Sequence, residues 1–247
     1  MKLTATLLLL ASSALLSATP ASGQVTFRIG VRGGANRIIT TEDAASTSNA
    51  PSFFTYSARK SSLLAWQAGI VGEANFGKLA FQPALVFSQK GERFQTTAIL
   101  DGFVRTIDER TDINRYNWLE LPMNVVYTLH GDHGLQVFAG PYVALAVGGH
   151  QTSTETFTGQ NTKEFESKTN YGAGTNNQRV DVGFNFGLGY RQGPVQVQLG
   201  YGLGLRNLHQ ASPPSIDPGF APFAHNFAAD AAYNRVAQLT GTYFFAL

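Results

Sequence analysis

The chain of 247 residues contains no cysteine, and only 14% of its residues are charged. Without cysteine there is neither a disulfide framework nor a thiolate metal site. A typical soluble domain carries roughly 25% charged side chains, so this sequence is short of the groups that keep a surface wet. Lysine and arginine number 18 against 16 aspartates and glutamates, too small an excess to argue for nucleic acid. Past the amino terminus no apolar run approaches ~18 residues, so no transmembrane helix is expected. Disorder is excluded by 12% aromatics at a net charge of +2. What the chain has instead is 26 glycines and 18 phenylalanines. Its mean hydropathy of −0.07 is far from that of a helical membrane protein. The length allows one large all-β domain or two small ones.

Met1-Lys2 gives a short basic start, Leu3 to Leu16 is an apolar run, and Ala21-Ser22-Gly23 supplies small residues for cleavage. This is the form of a secretory signal peptide. The run is too short to cross a ~30 Å hydrocarbon core. Residues 1–23 are therefore read as the signal and 24–247 as the mature domain. An exported chain with no second apolar run can span a membrane only with strands.

Period two dominates the mature sequence. Val25, Phe27, Ile29 and Val31 alternate with Thr26, Arg28, Gly30 and Arg32, the mark of a strand with one apolar face. The same alternation runs through segments starting at Leu64, Leu79, Leu119, Leu135, Val180, Val195 and Ala237. That makes eight strands. Connections near 77–78, 130–134 and 192–194 are short. Those near 37–62, 91–112, 150–178 and 207–232 are long and rich in Thr, Ser, Asn and Pro, and read as loops. The expected architecture is an all-β, eight-stranded antiparallel up-and-down transmembrane barrel, with long external loops and both termini at the short-turn end.

The composition of the two faces decides which one points inward. One face carries bulky aliphatics and aromatics, too many for an eight-stranded interior. The other is mostly Gly, Ala, Gln, Asn and Thr, where a soluble surface would carry lysine and glutamate. Apolar groups out and small polar groups in is the membrane-barrel arrangement, and closure leaves no backbone edge in lipid. Arg28, Arg32, Glu73, Glu120, Asp181, Arg191 and Arg206 then fall on the inward phase. Enclosed charge is costly unless paired, so a mixed-sign network that plugs the lumen is expected. Tyr127, Tyr190, Tyr201, Trp118, Phe76, Phe81, Tyr243 and Phe245 are read as lipid-facing or girdle rings.

Catalytic chemistry finds little support. His130, His133, His150, His209 and His225 all fall in turns or loops, and His150 with Ser153 and Glu155 makes only a nominal trio. No phosphate loop, metal-ligand helix or paired-carboxylate signature is present. No cofactor or metal is expected.

Several stretches resemble the PorT-type outer-membrane β-barrel family, found chiefly in the Bacteroidetes group. Phe27 to Asn36, with Gly33 and Asn36, resembles its first strand. Phe81 to Gly91, with Gln82, Pro83, Ser88, Lys90 and Gly91, resembles its most specific hairpin arm, with Ala84 where the family usually has glutamate. Leu119-Glu120-Leu121-Pro122, Ala139-Gly140-Pro141-Tyr142 and Asp181 to Tyr190 resemble further strands. The resemblance implies an eight-stranded outer-membrane barrel of a Gram-negative bacterium and attaches no catalytic motif. One member of that family is associated with protein secretion. The expected function is a non-enzymatic structural, adhesion or secretion-accessory role. A narrow pore for small solutes and a rim-sited lipid-modifying enzyme are the alternatives. Expected partners are outer-membrane lipid, the barrel-assembly machinery and a protein reached through 37–62, 150–178 or 207–232. In the last segment Pro213-Pro214, Phe220, Phe223 and Phe227 set rings among prolines.

Overall fold

A computed structural model describes residues 25–38, 45–46, 54–101, 105–131, 133–172, 177–208 and 233–246. The signal segment 1–23, the Pro/Phe-rich stretch 211–226 and Leu247 lie outside these residues. Eleven strands follow in chain order: β1 (Thr26–Ile38), β2 (Ala45–Ser46), β3 (Phe54–Ser62), β4 (Leu64–Phe76), β5 (Leu79–Asp101), β6 (Arg105–His130), β7 (His133–Phe157), β8 (Lys163–Lys168), β9 (Val180–Gln192), β10 (Val195–Gly204) and β11 (Arg235–Ala246). The links 77–78 and 193–194 are two-residue turns whose first residue is a glycine at positive φ, Gly77 at 77° and Gly193 at 58°. Short hairpin links favour glycine because a side chain strains that backbone.

Eight of the strands close a ring in the order β1, β4, β5, β6, β7, β9, β10, β11, every neighbour antiparallel. Closure is made by β1 against β11, from Arg28↔Ala246 to Ile38↔Val236. The outward positions include Phe27, Ile29, Val31, Leu64, Trp66, Ile70, Leu85, Leu121 and Val125, all exposed. Inward positions include Asn36, Gln67, Gln82, Asn124, Gln136, Gln196, Gln198 and Thr240, all buried. An apolar exterior around a polar interior has the inside-out polarity of a barrel that spans lipid.

The interior is not only small and polar. Phe138, Tyr142, Trp118, Phe244, Val71, Val86 and Val126 also point inward and are buried. Inward glycines on adjacent strands make the room. Phe244 stands directly opposite Gly30, Phe138 opposite Gly187 and Tyr142 opposite Gly183. A Cβ added at Gly183 would lie 2.6 Å from the Tyr142 ring, and one at Gly187 would lie 2.8 Å from the Phe138 ring. Cross-strand pairs of this kind, an aromatic ring covering a glycine, pin strand register. Trp118, read from sequence as an interface ring, is thereby corrected to an interior residue at 3% exposure. It shares the inward phase of its own strand with Glu120.

Three of the four expected loops contain strand. β5 and β6 stay paired up to Asp101↔Arg105, β3 pairs with the upper half of β5, and β8 pairs with the upper half of β7. β3 also runs into β4 with one residue between, Leu63, whose N–H donates to Gly91 O at 3.0 Å. Among the described residues, one side of the barrel therefore continues past its mouth as a β-wall, while β1, β9, β10 and β11 stop short. The physical reason is that both faces of this wall carry polar side chains, so no apolar alternation marks it, while threonine still favours extended chain. Across β6 and β7 the register shifts between Asn117/Trp118, since Trp118 faces Ala146 and Asn117 faces Gly148. Val147 is the extra residue of a β-bulge, which swaps the faces of everything beyond it on β7.

Candidate functional site

The lumen is crossed by side-chain bridges at both ends, with an apolar layer between them. At the short-turn end Glu73 accepts from two arginines, from Arg191 Nη1 at 2.6 Å and Arg28 Nη1 at 3.2 Å. Gln82 Nε2 also donates to Glu73 at 2.7 Å and to Gln196 Oε1 at 3.1 Å. The Arg191 guanidinium lies over the Phe244 ring, 4.7 Å from its centroid. Five strands meet in this cluster, β1, β4, β5, β9 and β10. Above it Val71, Ala84, Val86 and Phe244 form an apolar layer. Arg32 Nη2 reaches out of that layer to Thr240 Oγ1 at 3.0 Å, while its Nε is buried without a partner.

Toward the outer mouth, Asn36 donates to Ser88 Oγ at 2.9 Å and accepts from Gln67 at 2.7 Å. Lys90 Nζ sits 2.7 Å from Glu120 and 5.4 Å from the centroid of Trp118. Asp181 accepts from Tyr142 Oη at 2.9 Å and from Asn234 Nδ2 at 2.6 Å. Trp118, Tyr142, Ala144 and Ala146 form a packed cluster at the mouth, with Tyr116, Tyr171 and Leu208 against them. Tyr171 lies above the spanning segments, and its hydroxyl is pushed above the ordinary tyrosine range, first by burial and then by nearby Glu92.

Of the seven charges expected inside, Arg28, Arg32, Glu73, Glu120, Asp181 and Arg191 point into the barrel. Arg206 does not. It lies beyond the end of β10, is exposed, and donates to Gln178 at 2.8 Å. Lys90 was missed as a lumen charge, although Ala80, Gln82, Ala84, Val86 and Ser88 of β5 all face inward and Lys90 continues that phase. Lys60 and Glu92 form a further pair at 2.9 Å on the wall.

The motif residues occupy related places. Asn36, Gln82, Ser88 and Lys90 hold the inward bonds just described, and Gly91 takes the Leu63 bond that joins wall to barrel. Pro83, Pro122 and Pro141 lie on adjacent strands, with Pro83↔Met123 and Pro122↔Tyr142 in register. A Cβ at Gly140 would come 2.1 Å from Met123 O, so β6 and β7 approach closely there only because Gly140 has no side chain. Gly33 faces outward.

The nominal catalytic trio does not assemble. His150 lies on the opposite face of β7 from Ser153 and Glu155, because odd separations on a strand point apart. Ser153 Oγ is instead hydrogen-bonded to Asp112. His130 and His133 stack across their turn at 6.3 Å. Among the described residues no group of three His, Cys, Asp or Glu could hold a metal. His209 and His225 lie outside the described residues.

A closed eight-stranded barrel with an apolar exterior and a polar interior defines an integral β-barrel membrane protein. The chain belongs to the family of the outer membrane protein beta-barrel domain, whose model matches residues 20–210. It is therefore a bacterial outer-membrane β-barrel protein. Among solved structures it is similar to Neisserial surface protein A (NspA), at 11% identity over 90% of this chain and 97% of that chain, with a TM-score of 0.33. It is also similar to Pseudomonas aeruginosa OccK10 (OpdN), at 10% identity over 91% and 99%, with a TM-score of 0.12. No curated protein matches the chain.

Proposed function

We propose that the protein is a non-enzymatic, non-conducting barrel whose working part is the β-wall above the membrane, serving adhesion. The observation that carries this is the division of the molecule. Its lumen is bridged by bonded and packed side chains from Arg28 to Tyr171, while β3, β8 and the upper halves of β5, β6 and β7 continue past the ring. A scaffold role or secretion-accessory role uses the same exposed wall. The motif resemblance supports placing the chain in the PorT-type branch, in a Bacteroidetes-type outer membrane. In this reading residues 1–23 direct export, the barrel-assembly machinery inserts the strands, and 37–62, 150–178 and 207–232 meet the partner.

Planar-bilayer recording of the purified protein tests the plug, with no steady current expected. Stepwise conductance that is abolished by blocking the mouth would instead favour a narrow pore. Adhesion is tested by attaching the protein to beads and measuring their retention on cell surfaces. Beads retained no better than uncoated ones would sink it.

A further inference from the structure

Two clefts lie side by side on the face of the β7–β8 hairpin that continues the inward phase of the barrel. The first, about 260 Å³, is lined by Arg110, Gln151, Ser153, Glu155, Phe165 and Ser167. The second, about 170 Å³, is lined by Glu155, Phe157, Gln160, Asn161 and Lys163. Glu155 borders both, so they form one groove. Its floor is set by cross-strand register, Asp112↔Ser153↔Phe165 and Arg110↔Glu155↔Lys163. Its end is a four-residue turn in which Gln160 N–H donates to Phe157 O at 2.9 Å, with Gly159 at a positive φ of 76°.

The chemistry of the groove selects a class of ligand. Its charges balance in number. Arg110 Nε donates to both carboxylate oxygens of Asp112 at 3.1 Å, and Glu155 stands opposite Lys163. No surplus of either sign remains to select an anionic or cationic polymer. Gln151, Ser153, Ser167, Gln160 and Asn161 both donate and accept hydrogen bonds. Two rings stand open beside them, Phe165 at 53% exposure and Phe157 at 40%. Apolar ring faces among amides and hydroxyls match a molecule with apolar faces edged by hydroxyls, which is a sugar. Phe157 is four residues from Ser153, the partner of Phe165, so the rings are separated by about 14 Å along the strand. One hexose cannot touch both, whereas a short chain can.

We infer that this groove binds a neutral oligosaccharide, stacked on Phe165 and Phe157 and held by the amides at its two ends, Gln151 beside Phe165 and Gln160 and Asn161 beside Phe157. The inference rests on the adhesive reading and names its ligand class. A polypeptide, by contrast, would pair with the edge of β8 that no described strand covers, and would not need the two rings.

The test uses the full barrel in detergent micelles, probed by saturation-transfer NMR and calorimetry. The probes are neutral trisaccharides of glucose, galactose, mannose and N-acetylglucosamine. At least one is expected to bind saturably. Phe165→Ala and Gln151→Ala should each weaken it tenfold or more, while Glu164→Gln on the opposite face leaves it unchanged. Unaltered heat-modifiability on a gel confirms that each variant is folded. Binding of none at millimolar concentration, or binding untouched by Phe165→Ala, overturns the inference. So does displacement of the sugar by unfolded casein with equal affinity for wild type and Phe165→Ala, which would mark a peptide site. Bead retention that survives enzymatic removal of surface glycans would overturn the glycan alone and leave adhesion standing.

Discussion

Arg191 and Glu73 are 118 positions apart in the chain and meet at 2.6 Å inside the barrel, both almost wholly buried. The contact joins β9 to β4 across the lumen, so it reports closure of the ring and not the pairing of neighbours. Removing one partner of a buried pair leaves an uncompensated charge, which costs about 3–5 kcal/mol. Glu73→Ala strands Arg191 and Arg28 together and should lower barrel stability by about that amount, read from urea unfolding in micelles. Glu73→Gln combined with Arg191→Met should recover much of the loss. Single and double variants that unfold alike would show that the pair contributes nothing to closure.

A second expectation concerns packing between an aromatic ring and a glycine. A Cβ at Gly200 would meet the Phe138 ring at 2.9 Å, with its other contacts at 3.6 Å. The obstruction is therefore a single side chain. Gly200→Ala should destabilise by about 1–3 kcal/mol through overpacking, although a glycine-to-alanine change in open strand would normally help. Adding Phe138→Leu to Gly200→Ala should restore part of the loss. Strict additivity of the two changes, measured in the same unfolding assay, would refute the explanation.

These pairs also show what the sequence made legible. The eight ring strands were readable because each has one face in lipid, which forces alternation. The inward rings were not, since Phe138 needs Gly187 and Gly200, which lie on other strands, and register is not written in a single segment. Trp118 and Lys90 were recoverable by extending the phase of Glu120 and Ser88. Arg206 followed that same phase past Gly204, where β10 ends and phase loses meaning. The external wall was hidden because polar side chains on both faces remove the apolar signal. The ligand groove followed it into obscurity, since the Val147 bulge decides which way Ser153 and Glu155 face.

Arg32 supplies a third expectation. Its one bond goes to Thr240, and among the described residues no carboxylate is ion-paired with it. Glu120, already bridged to Lys90, acts on it only from a distance. Ala84, where the resembling family usually has glutamate, lies inward, two strands away. Ala84→Glu should therefore be tolerated while Arg32 is present and strongly destabilising beside Arg32→Met. The coupling should fall between about 0.5 and 3 kcal/mol, the range for interacting neighbours. A coupling of zero would place the two residues out of reach.

A pH dependence follows from Tyr171, whose hydroxyl is raised by burial and then by Glu92. A group whose folded pKa lies above its unfolded value adds stability that is complete below the unfolded value, about 10 for tyrosine. That stability is lost as pH rises from there through the folded value. Wild type should lose stability above about pH 10 more steeply than Tyr171→Phe. Tyrosinate absorbance of the folded wild type should meanwhile show one late-titrating group that folded Tyr171→Phe lacks. Identical slopes for the two proteins would mean that Tyr171 ionises as freely as an exposed tyrosine.

The bulge at Val147 gives the last expectation. With Trp118 opposite Ala146 and Asn117 opposite Gly148, Val147 is the one residue that turns Gln151, Ser153 and Glu155 to the inward-phase face. Deleting Gly148 removes the surplus residue and should leave the pairs on either side in place, with Asn117 taking Val147 as its partner and Asp112 keeping Ser153. The barrel should therefore fold, remain heat-modifiable and keep Ser153 on the inward-phase face. Because the chain has no cysteine, Ser153→Cys provides a clean reporter. Ser153 is only 8% exposed, so the thiol should react slowly with a maleimide in the full-length chain and in the deletion alike. A much faster reaction in the deletion would show that the upper part of β7 slips by one residue instead, which moves a whole segment to its other face, and that the bulge does not simply absorb one surplus residue.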